Sequence, residues 1–342
     1  MLKIKNFLIA CLFIFPQYFF AQHTDIINSN RPGETMSAFS VGKSVIQAEI
    51  GFYGITEKHD TQNYEAAGFG TDFTLRGGLF AEQLEFIADI QYQNEKFTTP
   101  VTTFRKSNFR QTVLAAKYLI YDPFKNNKRD VNIYSYSANR KFSWHQLIPA
   151  VSIFAGANFV FKDNPYAYNS NNLHFYSTEF NIAPKLMLIM QNHFGDGRWV
   201  LVSNLIADYV GTDYSGYGYA VTLTRGINNR WSGFVENQGY KSDLYSDLVF
   251  RGGAAYFFAR NVQIDASISK NLKNSPSVLY GGIGLSVRYD GKHKDEFTRV
   301  GKKAKKPKDK KSKKDQKLEE EKEQTEEVDY QEKERKRKAT YE

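Results

Sequence analysis

Leu84-Glu85-Phe86-Ile87-Ala88-Asp89-Ile90-Gln91-Tyr92-Gln93 sets Leu84, Phe86, Ala88, Ile90 and Tyr92 against Glu85, Asp89, Gln91 and Gln93. Successive side chains of an extended chain point to opposite faces, so this stretch reads as a strand with one apolar and one wetted side. Ile46, Ala48, Ile50 and Phe52 oppose Gln47, Glu49 and Gly51 in the same way, and Phe69, Phe73, Leu75 and Leu79 oppose Asp72, Thr74 and Arg76. Further segments are centred on 114–120, 151–159, 180–190, 201–209, 217–223, 231–237, 250–258, 262–268 and 283–289. The count of twelve is even, as expected of a bacterial outer-membrane barrel.

Alternation alone does not say whether the apolar side meets lipid or a second sheet. Three features favour lipid. The segments are about 10 to 15 residues long, where a sandwich strand has about 5 to 6. Short connections at 80–82, 191–197, 228–229 and 259–261 alternate with longer polar ones at 57–68, 96–106 and 161–174. Aromatics such as Tyr118, Tyr121, Trp144, Trp199, Tyr209, Tyr217 and Trp231 fall near segment ends, as interfacial girdles do. The expected fold is therefore all-β, a transmembrane antiparallel up-and-down barrel over 43–290. The long connection Asp122–Ser143 breaks the alternation, and two short strands there, around Val131–Tyr136, would raise the count to fourteen.

The composition suits such a wall: 22 Tyr and 27 Phe stand beside 24 Gly in 342 residues. Half of each strand can face lipid while the other half faces a polar lumen, so the chain as a whole stays mildly hydrophilic. Residues 1–21 read as a signal peptide, with Lys3 and Lys5 ahead of the apolar Phe7–Phe15 and cleavage after Ala21. The single cysteine, Cys11, falls inside that segment. Leu8-Ile9-Ala10-Cys11 resembles a lipoprotein box, but the apolar run continues past it. Residues 22–42 form an N-terminal periplasmic segment.

After Gly291 periodic hydrophobicity stops. Residues 291–342 carry 19 basic against 14 acidic side chains, in a lysine-rich block followed by an acidic one. Such blocks bury too little apolar area to offset ordering, so a disordered periplasmic tail is expected. The net charge of +9 comes mostly from this tail and the two leader lysines. Nucleic-acid binding is a poor reading because the lysines lack interleaved aromatics. The expected partners are outer-membrane lipid, the barrel-assembly machinery and, through the tail, a periplasmic protein or cell-wall polymer.

No catalytic or metal-ligand spacing stands out among the histidines, no cofactor motif is present, and no enzymatic activity is expected. The nearest enzymatic alternative, a lipid hydrolase using His174 and Ser177, is weakened because an odd separation puts the two on opposite strand faces. The candidate lumen or constriction residues are Glu49, Arg76, Glu85, Asp89, Arg110, Lys117, Glu179, Lys185, Asp208, Glu236, Arg251, Asp265 and Arg288. Both signs occur, so strong charge selectivity is not indicated, and pairing into a rigid network is the plain structural reading.

Asn30-Arg31-Pro32-Gly33-Glu34-Thr35, followed by Phe39, Val41, Gly42 and Gln47-Ala48-Glu49-Ile50-Gly51-Phe52, resembles the opening of the outer-membrane transporter family named for a putative MetA pathway of phenol degradation. Trp231-Ser232-Gly233-Phe234-Val235-Glu236 and Tyr280-Gly281-Gly282-Ile283-Gly284 are similar to later parts of that family, so the resemblance spans Asn28 to about Asp290. It implies a barrel passing small organic molecules, with Arg31, Pro32 and Gly33 as the N-terminal motif. Arg31 and Glu49 also have structural readings, a segment tucked against the periplasmic mouth and a lumen ion pair. Gly284, Val287 and Tyr289 resemble the terminal assembly signal of outer-membrane proteins. Two functions follow: passive diffusion of small solutes across the outer membrane of a Gram-negative cell, with both termini periplasmic, or a non-conducting accessory barrel that recruits periplasmic partners through its tail.

Overall fold

A computed structural model of the chain describes residues 27, 29–126, 134, 144–170, 175–195 and 197–291. The expected leader, most of the 122–143 connection and the charged tail lie outside the described residues. Twelve strands run β1 (Val45–His59), β2 (Tyr64–Gly77), β3 (Leu84–Thr98), β4 (Thr103–Tyr121), β5 (Ala150–Val160) and β6 (Asn181–Phe194). They continue as β7 (Trp199–Asp208), β8 (Gly216–Gly226), β9 (Trp231–Ser242), β10 (Ser246–Ala259), β11 (Val262–Asn271) and β12 (Ser277–Asp290). Each pairs antiparallel with its neighbours in sequence, and β12 closes on β1 with Ile46 opposite Tyr289 and Phe52 opposite Ile283. Closure leaves no sheet edge, so every strand finds ladder partners on both sides.

The period of two sorts the side chains as expected. Phe52, Phe73, Leu114, Ile153, Leu186, Leu205, Val235, Phe250, Ile268 and Ile283 face outward and form an apolar belt. Trp199 and Trp231 lie on the outer surface at the start of β7 and β9, and Tyr217 near the start of β8, in keeping with a girdle. Tyr209 departs from that reading: it is buried and packs edge-on against Tyr168 of the 161–180 connection, with ring centroids 5.0 Å apart. Ile283, mid-strand and 62% exposed, gives a test of the belt. Ile283→Lys should destabilise the barrel in lipid by about 2–4 kcal/mol, read from its urea midpoint, while the same change in a soluble barrel would be nearly neutral.

The connections differ from expectation at the end away from Val45 and Asp290. Residues 57–68 and 96–106 are mostly strand, and the turns span only 60–63 and 99–102. Here the inward positions carry Tyr64, Ala66, Phe97 and Phe104, which pack together; Phe97 and Phe104 stack across the β3–β4 pair at 5.6 Å. The outward positions, such as Glu65 and Arg105, are polar. The pattern is inverted relative to the belt because these hairpins stand with water outside, so a reading that looks for an apolar outer face misses them.

Candidate lumen site

Inside the barrel, at the end where β1 begins and β12 ends, the charged side chains pair. Arg76 of β2 donates to Glu85 of β3 at 2.5 Å and to Glu49 of β1 at 3.3 Å, while Lys117 of β4 reaches the other Glu85 oxygen at 3.0 Å. All four are essentially inaccessible to solvent. Further along, Lys185 of β6 donates to Asp208 of β7 at 3.1 Å. Buried ions of this kind persist only when each finds its counter-charge and its hydrogen bonds.

The N-terminal segment completes this network from within. The sequence suggests a segment tucked against the periplasmic mouth; the described part passes Ile27, whose N–H donates to the Arg260 carbonyl, enters the lumen and returns to β1 at Val45. Residues 29–41 hydrogen-bond to eleven of the twelve strands, and to β7 as well with the Asn204 amide oriented to donate to the Met36 carbonyl and accept from its N–H. Ser29 donates to Glu49 and meets Ser286 of β12 at 2.8 Å, and the N–H groups of Asn30 and Arg31 donate to the Glu49 carboxylate. Arg31 bridges Asp72 of β2 and Asp265 of β11. Glu34 accepts from Arg251 of β10 at 2.7 Å, and the N–H groups of Glu34 and Thr35 donate to Glu236 of β9. Thr35 meets Thr222 of β8, Gln191 of β6 accepts from Ser37 and Ala38, and Ser152 of β5 donates to the Ala38 carbonyl. Lys117 donates to the Ser37 and Phe39 carbonyls, Glu85 accepts from Val41 N–H, and the Asn204 amide of β7 pairs with Met36. Apolar contacts add to the hold: Ala38 is buried among Ile87, Val113, Phe154, Met187 and Ile189.

Two glycines make room for Arg31. Gly51 and Gly284 lie opposite each other across β1 and β12, and a Cβ on either would stand within 2.4 Å of the Arg31 side chain. Gly284, read from sequence as part of an assembly signal, thus also has a packing role, while Val287 and Tyr289 face outward. Burial alone would push the Glu34 carboxyl up, but Arg251 beside it holds it below the usual carboxylate range. The Glu34–Arg251 grip is therefore complete at neutral pH and is lost only as pH falls through that depressed value.

Beyond the segment lies a cavity of about 370 Å³. Arg31 to Glu34 and Met36 form its floor, and Pro165, Tyr166, Asn169 and Ser170 reach over it from the 161–180 connection. Tyr166 donates to Glu95 at 3.2 Å and to the Lys106 carbonyl, and Asn164 donates to the Phe109 carbonyl. One face is apolar, with Val113, Phe154, Met187 and Ile206; elsewhere Tyr53, Tyr280, Asp89, Glu95, Arg110 and Asp208 line it. In β4 the register slips between Gln111 and Phe109, opposite Gln91 and Tyr92, and the bulge sends both Arg110 and Gln111 into the cavity.

Eleven of the thirteen expected lumen residues line the cavity or belong to these pairs. Glu179 instead sits in the exposed connection before β6, where alternation no longer assigns a face. Arg288 has the inward parity but lies at the rim and pairs with Asp290 at 2.5 Å. Sequence reasoning missed Asp72, Glu95 and Lys106 as lumen groups, and Glu34 as an ion-pair partner. The first lies on a polar face already noted, Glu95 falls between the end of the third segment at Gln93 and the connection read as 96–106, Lys106 lies in that connection, and Glu34 precedes any strand. Ser177, the serine of the hydrolase alternative, accepts from the Asn164 N–H and donates to the Phe161 carbonyl; His174 lies outside the described residues.

The stretches bearing the family resemblance converge here. Arg31 to Thr35, Glu49 with Gly51, Glu236 and Gly284 come from four distant parts of the chain and meet around one buried loop. Fold and site together define a closed twelve-stranded barrel whose lumen is occupied by its own N-terminal segment. The chain belongs to the family described as the putative MetA pathway of phenol degradation, whose profile matches residues 29–289. In fold it is similar to an outer-membrane channel from Pseudomonas putida F1, at 10% identity over 77% of this chain and 100% of that one, TM-score 0.48. It is also similar to KdgM porin (10% identity, 69% and 98% covered, TM-score 0.38) and to the CymD monoaromatic hydrocarbon channel (10%, 73% and 90%, TM-score 0.37). No curated protein matches the chain.

Proposed function

We propose that the barrel is an outer-membrane channel for small organic solutes, working by diffusion and narrowed by its N-terminal segment. The observation that carries this reading is a cavity of about 370 Å³, lined by charged groups and one apolar face, inside a closed barrel whose outer wall is apolar. Side chains alone fill the interior of a barrel of about eight strands; twelve enclose more room, and here space remains beyond the N-terminal segment. The family description supports small organic molecules as the solute class. β1 begins and β12 ends at one end of the barrel, Val45 opposite Asp290, and we assign that end to the periplasm.

A second reading, a non-conducting accessory barrel, is favoured by one observation: the N-terminal segment is bonded to every strand. Planar bilayers separate the two. The full mature chain should give small openings, and a variant lacking residues 28–42 should give a conductance several-fold larger. A folded deletion variant that stays silent would sink the channel reading. If the tail recruits periplasmic proteins, removing residues 291–342 should abolish their co-purification without changing conductance.

A further inference from the structure

Arg31, Arg76, Lys117, Lys185 and Arg251 each have a carboxylate within 4.0 Å. Arg110 has none among the described residues: it donates to the Gln93 side-chain carbonyl at 2.9 Å and to the Tyr280 hydroxyl at 3.3 Å, and it lies over the Tyr280 ring. Across the same amide, Gln93 Nε2 donates to Glu95 at 2.7 Å. Among the described residues Glu95 otherwise accepts a hydrogen bond only from Tyr166, so its hydrogen-bond donors there are neutral. A guanidinium and a carboxylate, neither with an opposite charge within 4.0 Å among the described residues, therefore face one cavity, held apart by a single planar amide that bonds to both.

We propose that Arg110 and Glu95, spaced by Gln93, bind a small zwitterion, an α-amino acid with an apolar side chain. The proposal rests on the channel reading and names its solute class. The oxygen and nitrogen of a planar amide are ~2.2 Å apart from its bond lengths, and the carboxylate oxygen and ammonium nitrogen of an α-amino acid are roughly 3 Å apart. A ligand lying beside Gln93 can thus place its carboxylate on Arg110 and its ammonium on Glu95, both as charge-assisted hydrogen bonds. A simple anion would gain Arg110 but face Glu95 and Asp89; a simple cation would gain Glu95 but face Arg110. Tyr53 and Tyr280, with rings 6.1 Å apart, and the Val113, Phe154, Met187 and Ile206 face suit the apolar side chain.

The test is calorimetric titration of the folded full chain in detergent micelles with L-phenylalanine, 3-phenylpropanoate and 2-phenylethylamine. L-Phenylalanine should bind at least ten-fold more tightly than either singly charged analogue. Arg110→Gln and Glu95→Gln should each weaken it by ten-fold or more, whereas Arg225→Gln, on the outer face against Trp199, should leave it unchanged. Arg110→Gln should also erase the preference for L-phenylalanine over 2-phenylethylamine. Equal binding of either analogue, or no binding by barrel shown to be folded by its heat-modifiable gel mobility, overturns the proposal. Bilayer conductance is read separately. A barrel that conducts but does not bind L-phenylalanine defeats this inference alone, and one that binds but never conducts defeats the channel reading.

Discussion

Glu85→Ala is expected to lower the stability of the barrel by about 3–5 kcal/mol, because it leaves two buried cations without their main counter-charge. Glu85 takes Arg76 at 2.5 Å, Lys117 at 3.0 Å and the Val41 N–H at 3.1 Å. Arg76 keeps the longer contact to Glu49, and Lys117 two backbone carbonyls, neither of which replaces the Glu85 charge. Glu85→Gln keeps acceptor capacity but not the charge, and should cost less. Urea titration in lipid vesicles, followed by heat-modifiable mobility, measures both. An alanine variant within about 1 kcal/mol of the parent would mean that water reaches these ions freely and that the network contributes little.

Arg31→Ala is expected to loosen the internal segment and raise single-channel conductance several-fold. Asp72 and Asp265 would then lie in the lumen without the guanidinium that bridges them, and the floor of the cavity would lose its main ionic anchor. Arg31→Lys should behave almost as badly, since a single ammonium cannot span two carboxylates as a planar fork does. Gly51→Ala tests the same fit from the wall: its Cβ would stand 2.1 Å from Asp72 Oδ1 and 2.3 Å from Arg31 Nη1, so this ion pair must shift. Unchanged conductance in both Arg31→Ala and Gly51→Ala, with folded protein, would show that Arg31 does not hold the segment.

The twelve strands and their faces were legible because a barrel in lipid needs apolar groups on every second position, and Ile46 to Phe52 or Leu84 to Tyr92 display that need openly. The projecting ends of β1 to β4 were not, since their outer positions are polar and their aromatics point inward. Arg76, Glu85 and Lys117 could be assigned to the lumen by parity, but parity says nothing about which of them touch.

The sequence by itself determined the closed sheet, its strand number, its inner and outer faces, and its family. Only the tertiary structure decided that residues 29–41 run inside the barrel, that Gly51 and Gly284 clear a path for Arg31, and that Arg110 has no carboxylate within 4.0 Å among the described residues. The division has a physical cause. Lipid and water act on each strand locally and leave a periodic trace, whereas ion pairs in a lumen join residues up to 234 positions apart, as Arg31 and Asp265 are, and leave none.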